Sequence, residues 1–155
     1  MKIFKWFRKG PELRAKDALR LGALAAPVVS ELPLHKQRFV VVDLETSGLN
    51  TLKDKILSIG AVTIEDSAIA LGHQFSCTLR RQNLTVSESV LIHQIPPSEV
   101  AAGIRPEKAL LSFMEYVGSS PLLAFHASFD QRMLVREMED AFAYQLRHPF
   151  YDVAE

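Results

Sequence analysis

Apolar and polar positions along the chain fall into runs of two periods. Phe39-Val40-Val41-Val42 continues into Leu44 as a nearly unbroken apolar run, the pattern of a buried strand from Phe39 to Leu44. Ile56 to Ile64 reads as a second strand and Ala68 to Leu79 as a third, so the first half of the core predicts a meander. Short helical pieces are predicted at Val86 to Ile92 and Pro97 to Ala102. Pro106 to Val117 is a stronger helix, with Ala109, Leu110, Phe113, Met114 and Val117 at helical spacing and proline in its first turn. Pro121 to Phe125 is a short strand, and a helix follows from about Ser128 to Tyr144. Strands first, then helices alternating with strand, predict an α/β class with a mixed sheet flanked by helices. There are no internal repeats and no low-complexity segment.

The first 38 residues differ from this core. Seven Lys or Arg residues lie between Met1 and Arg20 against two acids, interleaved with Ile3, Phe4, Trp6 and Phe7. Residues 1–38 are therefore read as a basic helical arm and linker, broken at Gly10-Pro11 and again at Pro27 and Pro33, ahead of a domain over 39–155. Glu12 and Asp17 interrupt any secretory signal, and Leu21 to Val29 is too short to span a bilayer. Packing as a helical extension, contact with an anionic membrane surface and binding of nucleic-acid phosphates all remain open for the arm.

Bulk composition adds limits. The 155 residues, 48% of them apolar, suffice for one domain and an appendage. Equal numbers of acidic and basic residues leave no global basic field, so nucleic-acid binding would rest on a local patch. The single cysteine, Cys77, excludes an intrachain disulfide, argues against a cysteine-based zinc site and fits a reducing, cytoplasmic setting.

Candidate chemistry begins at the end of the first strand, in Asp43-Leu44-Glu45-Thr46-Ser47-Gly48. Side chains alternate along a strand, so Asp43 and Glu45 point the same way. Without a cation they would repel each other, and the pair suits Mg²⁺ or Mn²⁺ held by oxygen ligands. A strand ending in an ordinary polar turn is the alternative. Further on, Ser128 and Gln131 have the spacing of a capping box that would start a helix with Asp130 in its first turn. Asp130 alone reads as an acid that improves the helix end.

Taken together, D-x-E at a strand end and Phe129-Asp130 at a helix start, 85 residues after Glu45, resemble the proofreading-subunit-like 3′ to 5′ exonucleases, the DEDD group with a ribonuclease-H-like fold. Asp54 to Val62 is similar to that family's second strand, and Leu91-Ile92-His93-Gln94-Ile95 to its histidine-bearing segment. The resemblance covers Phe39 to the last residue. It implies Asp43, Glu45 and Asp130 as catalytic metal ligands for two Mg²⁺ or Mn²⁺ ions. It further implies the Thr46 backbone against the terminal sugar, Leu49 and Phe129 against the last base, and His93 gripping the terminal nucleotides. The implied partners are a single-stranded DNA or RNA 3′ end and a DNA polymerase subunit. Two cations would replace a protein nucleophile, in keeping with the lack of any triad-like arrangement.

The pattern departs from the family in two places. None of His35, His73, His93, His126 or His148 is followed five residues later by aspartate, the family's third motif, and Tyr151 meets only Glu155 at the spacing of the tyrosine version. The reading is a chain that stops before this motif, with the last strand and closing helix missing and Tyr151 to Glu155 beginning the helix that leads there. Loss of the general base would cost roughly 10²- to 10⁴-fold in rate. A noncatalytic relative that binds nucleic-acid ends or a polymerase is the competing reading, and a basic-arm docking protein with incidental acids is a third. The second departure is Ala127, where relatives commonly carry asparagine.

Overall fold

The computed structural model describes residues 13–83 and 95–154. Expected helix Val86 to Ile92 and candidate His93 lie outside these residues.

Strand β1 (Phe39–Thr46) pairs antiparallel with β2 (Ile56–Glu65) along its whole length, from Phe39 opposite Ile64 to Glu45 opposite Ser58. β3 (Ala68–Ile69) and β4 (Phe75–Thr78) both pair antiparallel with the far edge of β2. The expected single strand from Ala68 to Leu79 is thus two strands. Ala70 leaves the extended path, and a 3₁₀ turn at Leu71–His73 separates the two pieces. On the other side of β1 lie β5 (Leu122–Ala124) and β6 (Phe150–Asp152), both parallel, giving the order β3-β2-β1-β5-β6 with β4 beside β2. β6 corrects the expectation for the end of the chain: Phe150–Asp152 is a strand, and Tyr151 begins no helix. Leu122, Leu123 and Ala124 pair with Phe150, Tyr151 and Asp152, so a tertiary ladder overrides the local helical pattern.

The described α-helices are α1 (Ala15–Gly22), α2 (Pro97–Ala102), α3 (Pro106–Val117) and α4 (Ala127–Phe142). The alternation in β1 buries Val40, Val42 and Leu44 on one face, where they meet Leu110, Phe113 and Met114 of α3 and Leu134 and Met138 of α4. Pro106 occupies the first turn of α3, where its missing N–H costs nothing, and Gly118 at φ 59° ends the helix. Arg38, just before β1, donates to the carbonyls of Tyr116 (3.0 Å) and Val117 (2.9 Å), tying the last turn of α3 to the sheet. The opposite face carries Phe39, Leu123 and Tyr151, which with Val29, Leu34 and Pro149 line an open apolar groove of about 440 Å³.

Residues 13–38 lie against this body. Leu13, Leu21 and Leu24 pack on the core cluster, and Arg20 reaches α3 with a bidentate pair to Glu115 (2.7 and 2.8 Å) and a bond to Ser112. Asp17, almost buried, faces Arg105 at 3.7 Å. No described helix is long and apolar enough to cross a membrane.

Candidate active site

Two features of the sheet prepare the end of β1. The parallel ladder to β5 holds only Val40 against Leu122 and Val41 against Leu123, so β1 parts from β5 beyond this point. The Leu44 N–H, on the same edge as the Val40 N–H that bonds Pro121 O, is given instead to the carboxyl of Asp130. On the β2 side the register skips a residue, with Glu45 opposite Ser58 and Thr46 opposite Ile56. Such a bulge re-aims the side chains beside it. Asp43 is exposed and Glu45 half-buried, both on the face opposite Val42 and Leu44.

The loop after β1 is closed by its own polar atoms. Thr46, nearly buried, donates its hydroxyl to Gly48 O at 2.8 Å. Ser47 Oγ donates to Asp54 Oδ1 and accepts the Lys55 N–H, and Asp54 Oδ2 accepts the Asn50 N–H at 2.8 Å. Gly48 is required by this closure, because a Cβ there would lie 2.5 Å from Asp54 Oδ2. From α4, the Arg136 guanidinium donates to the carbonyls of Thr51 and Asp54. Held at both ends, the loop presents Leu49 and Leu52, 86% and 85% exposed.

The start of α4 is built differently from the expected capping box. Its N-cap is His126, left-handed at φ 58°, and neither His126 nor Ser128 caps it with a side chain. The cap comes from β6: Asp152 Oδ1 accepts the His126 N–H (3.2 Å) and Oδ2 the Ala127 N–H (2.9 Å). A further N–H, from Ala154, joins these two in holding the Asp152 carboxyl below its usual range. Phe129 is half-buried and packs against the core, which leaves only part of its ring open. Asp130 is 6% exposed, and burial, with the charge of Asp43 next in weight, pushes its carboxyl up to about 7. Asp152 adds to that rise, while the Leu44 N–H and its own N–H oppose it.

Asp43 and Asp130 therefore converge closely enough to feel each other's charge. Among the described residues no three His, Cys, Asp or Glu side chains gather tightly enough to enclose a metal ion. The fold supplies a carboxylate pair, with Glu45 two residues along the strand. This oxygen-only, incompletely closed donor set fits a hard divalent cation that shares its coordination with water and phosphate. The pair's mutual repulsion is also what such a cation would relieve.

His126 is exposed with its ring against Phe125 at 4.5 Å, and His148 is 2% exposed with Nε2 bonded to Gly118 O at 2.7 Å. Cys77 is half-buried against the core, and burial pushes its thiol up to about 11, which leaves it unreactive. Sequence reasoning missed Asp54, Arg136 and Asp152. It also missed the pair of Arg81 and Glu137 (2.8 Å) that fixes the start of β2 to α4 through Ile56 N–H and C=O. Asp54 left a signal, a short polar residue ahead of a strand; the other four bond across 25 or more residues and left none.

The family model described as exonuclease (RNase_T) matches residues 40–155. A DNA polymerase III of the PolC type from Clostridium perfringens is 31% identical over 114 residues, 74% of this chain and 8% of that protein. A DNA polymerase III subunit epsilon-like protein from Rhodobacter capsulatus is 30% identical over 118 residues, 76% of this chain and 17% of that protein. The chain thus spans under a fifth of the length of either relative. Among solved structures, E. coli exonuclease I in complex with a dT13 oligonucleotide superposes with a TM-score of 0.63 at 18% identity, over 76% of this chain and 28% of that one. At that identity the match shows the shared ribonuclease-H-like fold.

Proposed function

The chain belongs to the RNase_T exonuclease family, within the DEDD group that includes epsilon-like polymerase subunits, and from that membership we propose that it releases nucleotides from the 3′ end of single-stranded DNA or RNA by metal-dependent phosphodiester hydrolysis. The observation that carries this reading is the convergence of Asp43 and the buried Asp130 at the open end of β1.

Asp43, Glu45 and Asp130 are the residues that would hold Mg²⁺ or Mn²⁺, two ions in a complete site. Bound there, the metal supplies positive charge against the anionic phosphodiester and favours attack by water. The chain's own groups do the rest. Asp130, fixed by the Leu44 N–H, would serve such a cation as a charged carboxylate, the form that metal binding favours. The Thr46 backbone, at the bulge, is assigned to the terminal sugar. Leu49, displayed by the Asp54-closed loop, and the open part of the Phe129 ring offer apolar faces to the last base. His93, outside the described residues, is assigned to gripping the terminal nucleotides. Residues 39–155 form the nuclease unit of this proposal, with 13–38 as its docked extension. A polymerase subunit is the proposed protein partner, on the strength of what the relatives are named.

A second reading, binding of a 3′ end without hydrolysis, has one observation in its favour: no histidine in the chain is followed five residues later by aspartate. One experiment separates the two. The chain is mixed with Mn²⁺ and a single strand labelled so that shortening from its 3′ end is visible. Stepwise nucleotide release that disappears in Asp43→Ala is the expected result; binding without release, indifferent to metal, would overturn hydrolysis and leave the second reading.

A further inference from the structure

We propose that Asp152 is a positioning residue for the metal site, setting its cation affinity by fixing the first turn of α4, and with it Asp130, against β1. The inference rests on the hydrolytic reading only through the cation that reading requires.

Three observations carry it. First, α4 begins without a cap of its own: His126 sits in the left-handed region, where a non-glycine residue is strained, and residue 127 is an alanine with no polar group to offer. Second, the strained turn is held from β6. Both Asp152 oxygens are engaged, by the His126 and Ala127 N–H groups, and the Ala154 N–H returns to Oδ1 at 2.8 Å, so the carboxylate cannot rotate without losing a bond. The backbone adds its own clasp, with Val153 N–H donating to Ala124 O at 3.0 Å and Ala124 in register with Asp152. Third, the segment so held leads directly to the metal-site acid. Phe129 N–H bonds His126 O, and the next residue, Asp130, takes the Leu44 N–H of β1.

The consequence is a chain of contacts from β6 through the turn at His126 to Asp130 and β1. If Asp152 is lost, two N–H groups at the head of α4 lose their acceptor and the strained turn is free to relax. Asp130 then loses its fixed separation from Asp43. Groups that hydrogen-bond a metal ligand directly are worth about 10- to 100-fold in metal affinity, and Asp152 acts one contact further back, through the turn at His126, so the lower end applies. Asp152 also adds negative charge near Asp130.

The test measures Mn²⁺ binding by water-proton relaxation in the full chain, with Asp152→Ala and Asp152→Asn, alongside urea midpoints. Asp152→Ala is expected to weaken Mn²⁺ binding by about 10-fold. Asp152→Asn, which keeps the shape and one acceptor, is expected to fall between the two and serves if the alanine variant does not fold. For nucleotide release, kcat falls while KM for the oligonucleotide stays within about twofold, because the base-contacting loop is untouched. A lowered urea midpoint with unchanged Mn²⁺ affinity of the folded protein would reduce Asp152 to a structural cap and overturn the proposal. A shifted Mn²⁺ affinity in a chain that never releases nucleotide would uphold Asp152 and overturn hydrolysis. No Mn²⁺ uptake by the unsubstituted chain would overturn both.

Discussion

Asp130 should make the metal-free fold weaker as pH rises. Its carboxyl goes from the usual 3.8 to about 7, chiefly through burial and then through the charge of Asp43. Between about pH 4 and pH 7 the folded chain therefore holds a proton that the unfolded chain has released. Stability falls as pH climbs through that window, and the loss is complete above it. At roughly 1.4 kcal/mol per tenfold change in proton affinity, the rise corresponds to about 4 kcal/mol. A neutral polar group buried there carries its own desolvation cost, so about 2 kcal/mol is the working figure for replacing the carboxylate. Asp130→Asn keeps an acceptor for the Leu44 N–H and removes the charge. It should stabilise the chain at pH 8 by about that amount, which for a domain of this size raises Tm by roughly 4 to 8 °C. The assay is urea unfolding in EDTA at half-unit steps from pH 4.5 to 8. The gap between variant and parent should shrink steadily toward acid pH. An Asn variant no more stable than its parent at pH 8, or a gap that ignores pH, would refute the electrostatic reasoning.

Three further outcomes follow from the polar framework around the site. Arg81→Ala removes the nearer cation from the Glu137 carboxylate, 3% exposed, leaving it Arg136 at 3.9 Å and the Ile56 N–H, and should cost about 1.5 to 3 kcal/mol by urea unfolding. Gly48→Ala pushes its methyl into Asp54 and should free the Asn50 N–H, at a cost of about 1 to 2 kcal/mol and with faster amide exchange at that residue. Arg136→Leu removes the donor from two loop carbonyls; about 1.5 to 3 kcal/mol should be lost, and limited proteolysis should cut within residues 47–55 earlier than in the parent.

Much of the scaffold was legible because its signals are local. Proline at the head of α3 and apolar residues at helical spacing marked Pro106 to Val117 correctly, and the apolar run before Asp43 marked β1. The strand expected from Ala68 to Leu79 failed at Ala70 to Gln74, where 3₁₀ geometry interrupts an otherwise extended pattern. At the chain end a three-residue ladder to β5 decided the conformation, and no window of local sequence contains that partner. The same distinction runs through the site. Asp43, Glu45 and Asp130 stood out by residue type and spacing, whereas the raised proton affinity of Asp130 comes from burial by segments far away in sequence. The expected capping box at Ser128 and Gln131 had the right pattern in the wrong place, since Asp152 already occupies the role from β6.

The placement of Arg136 on α4 has a mechanical consequence. Asp130 and Arg136 are six residues apart on one helix, about 9 Å along its axis. One end of this lever bears the acid against β1; further along, the guanidinium grips the loop that displays Leu49 and Leu52. Any tilt of α4 moves both together, so force applied to the loop tip reaches the carboxylate pair without passing through the sheet.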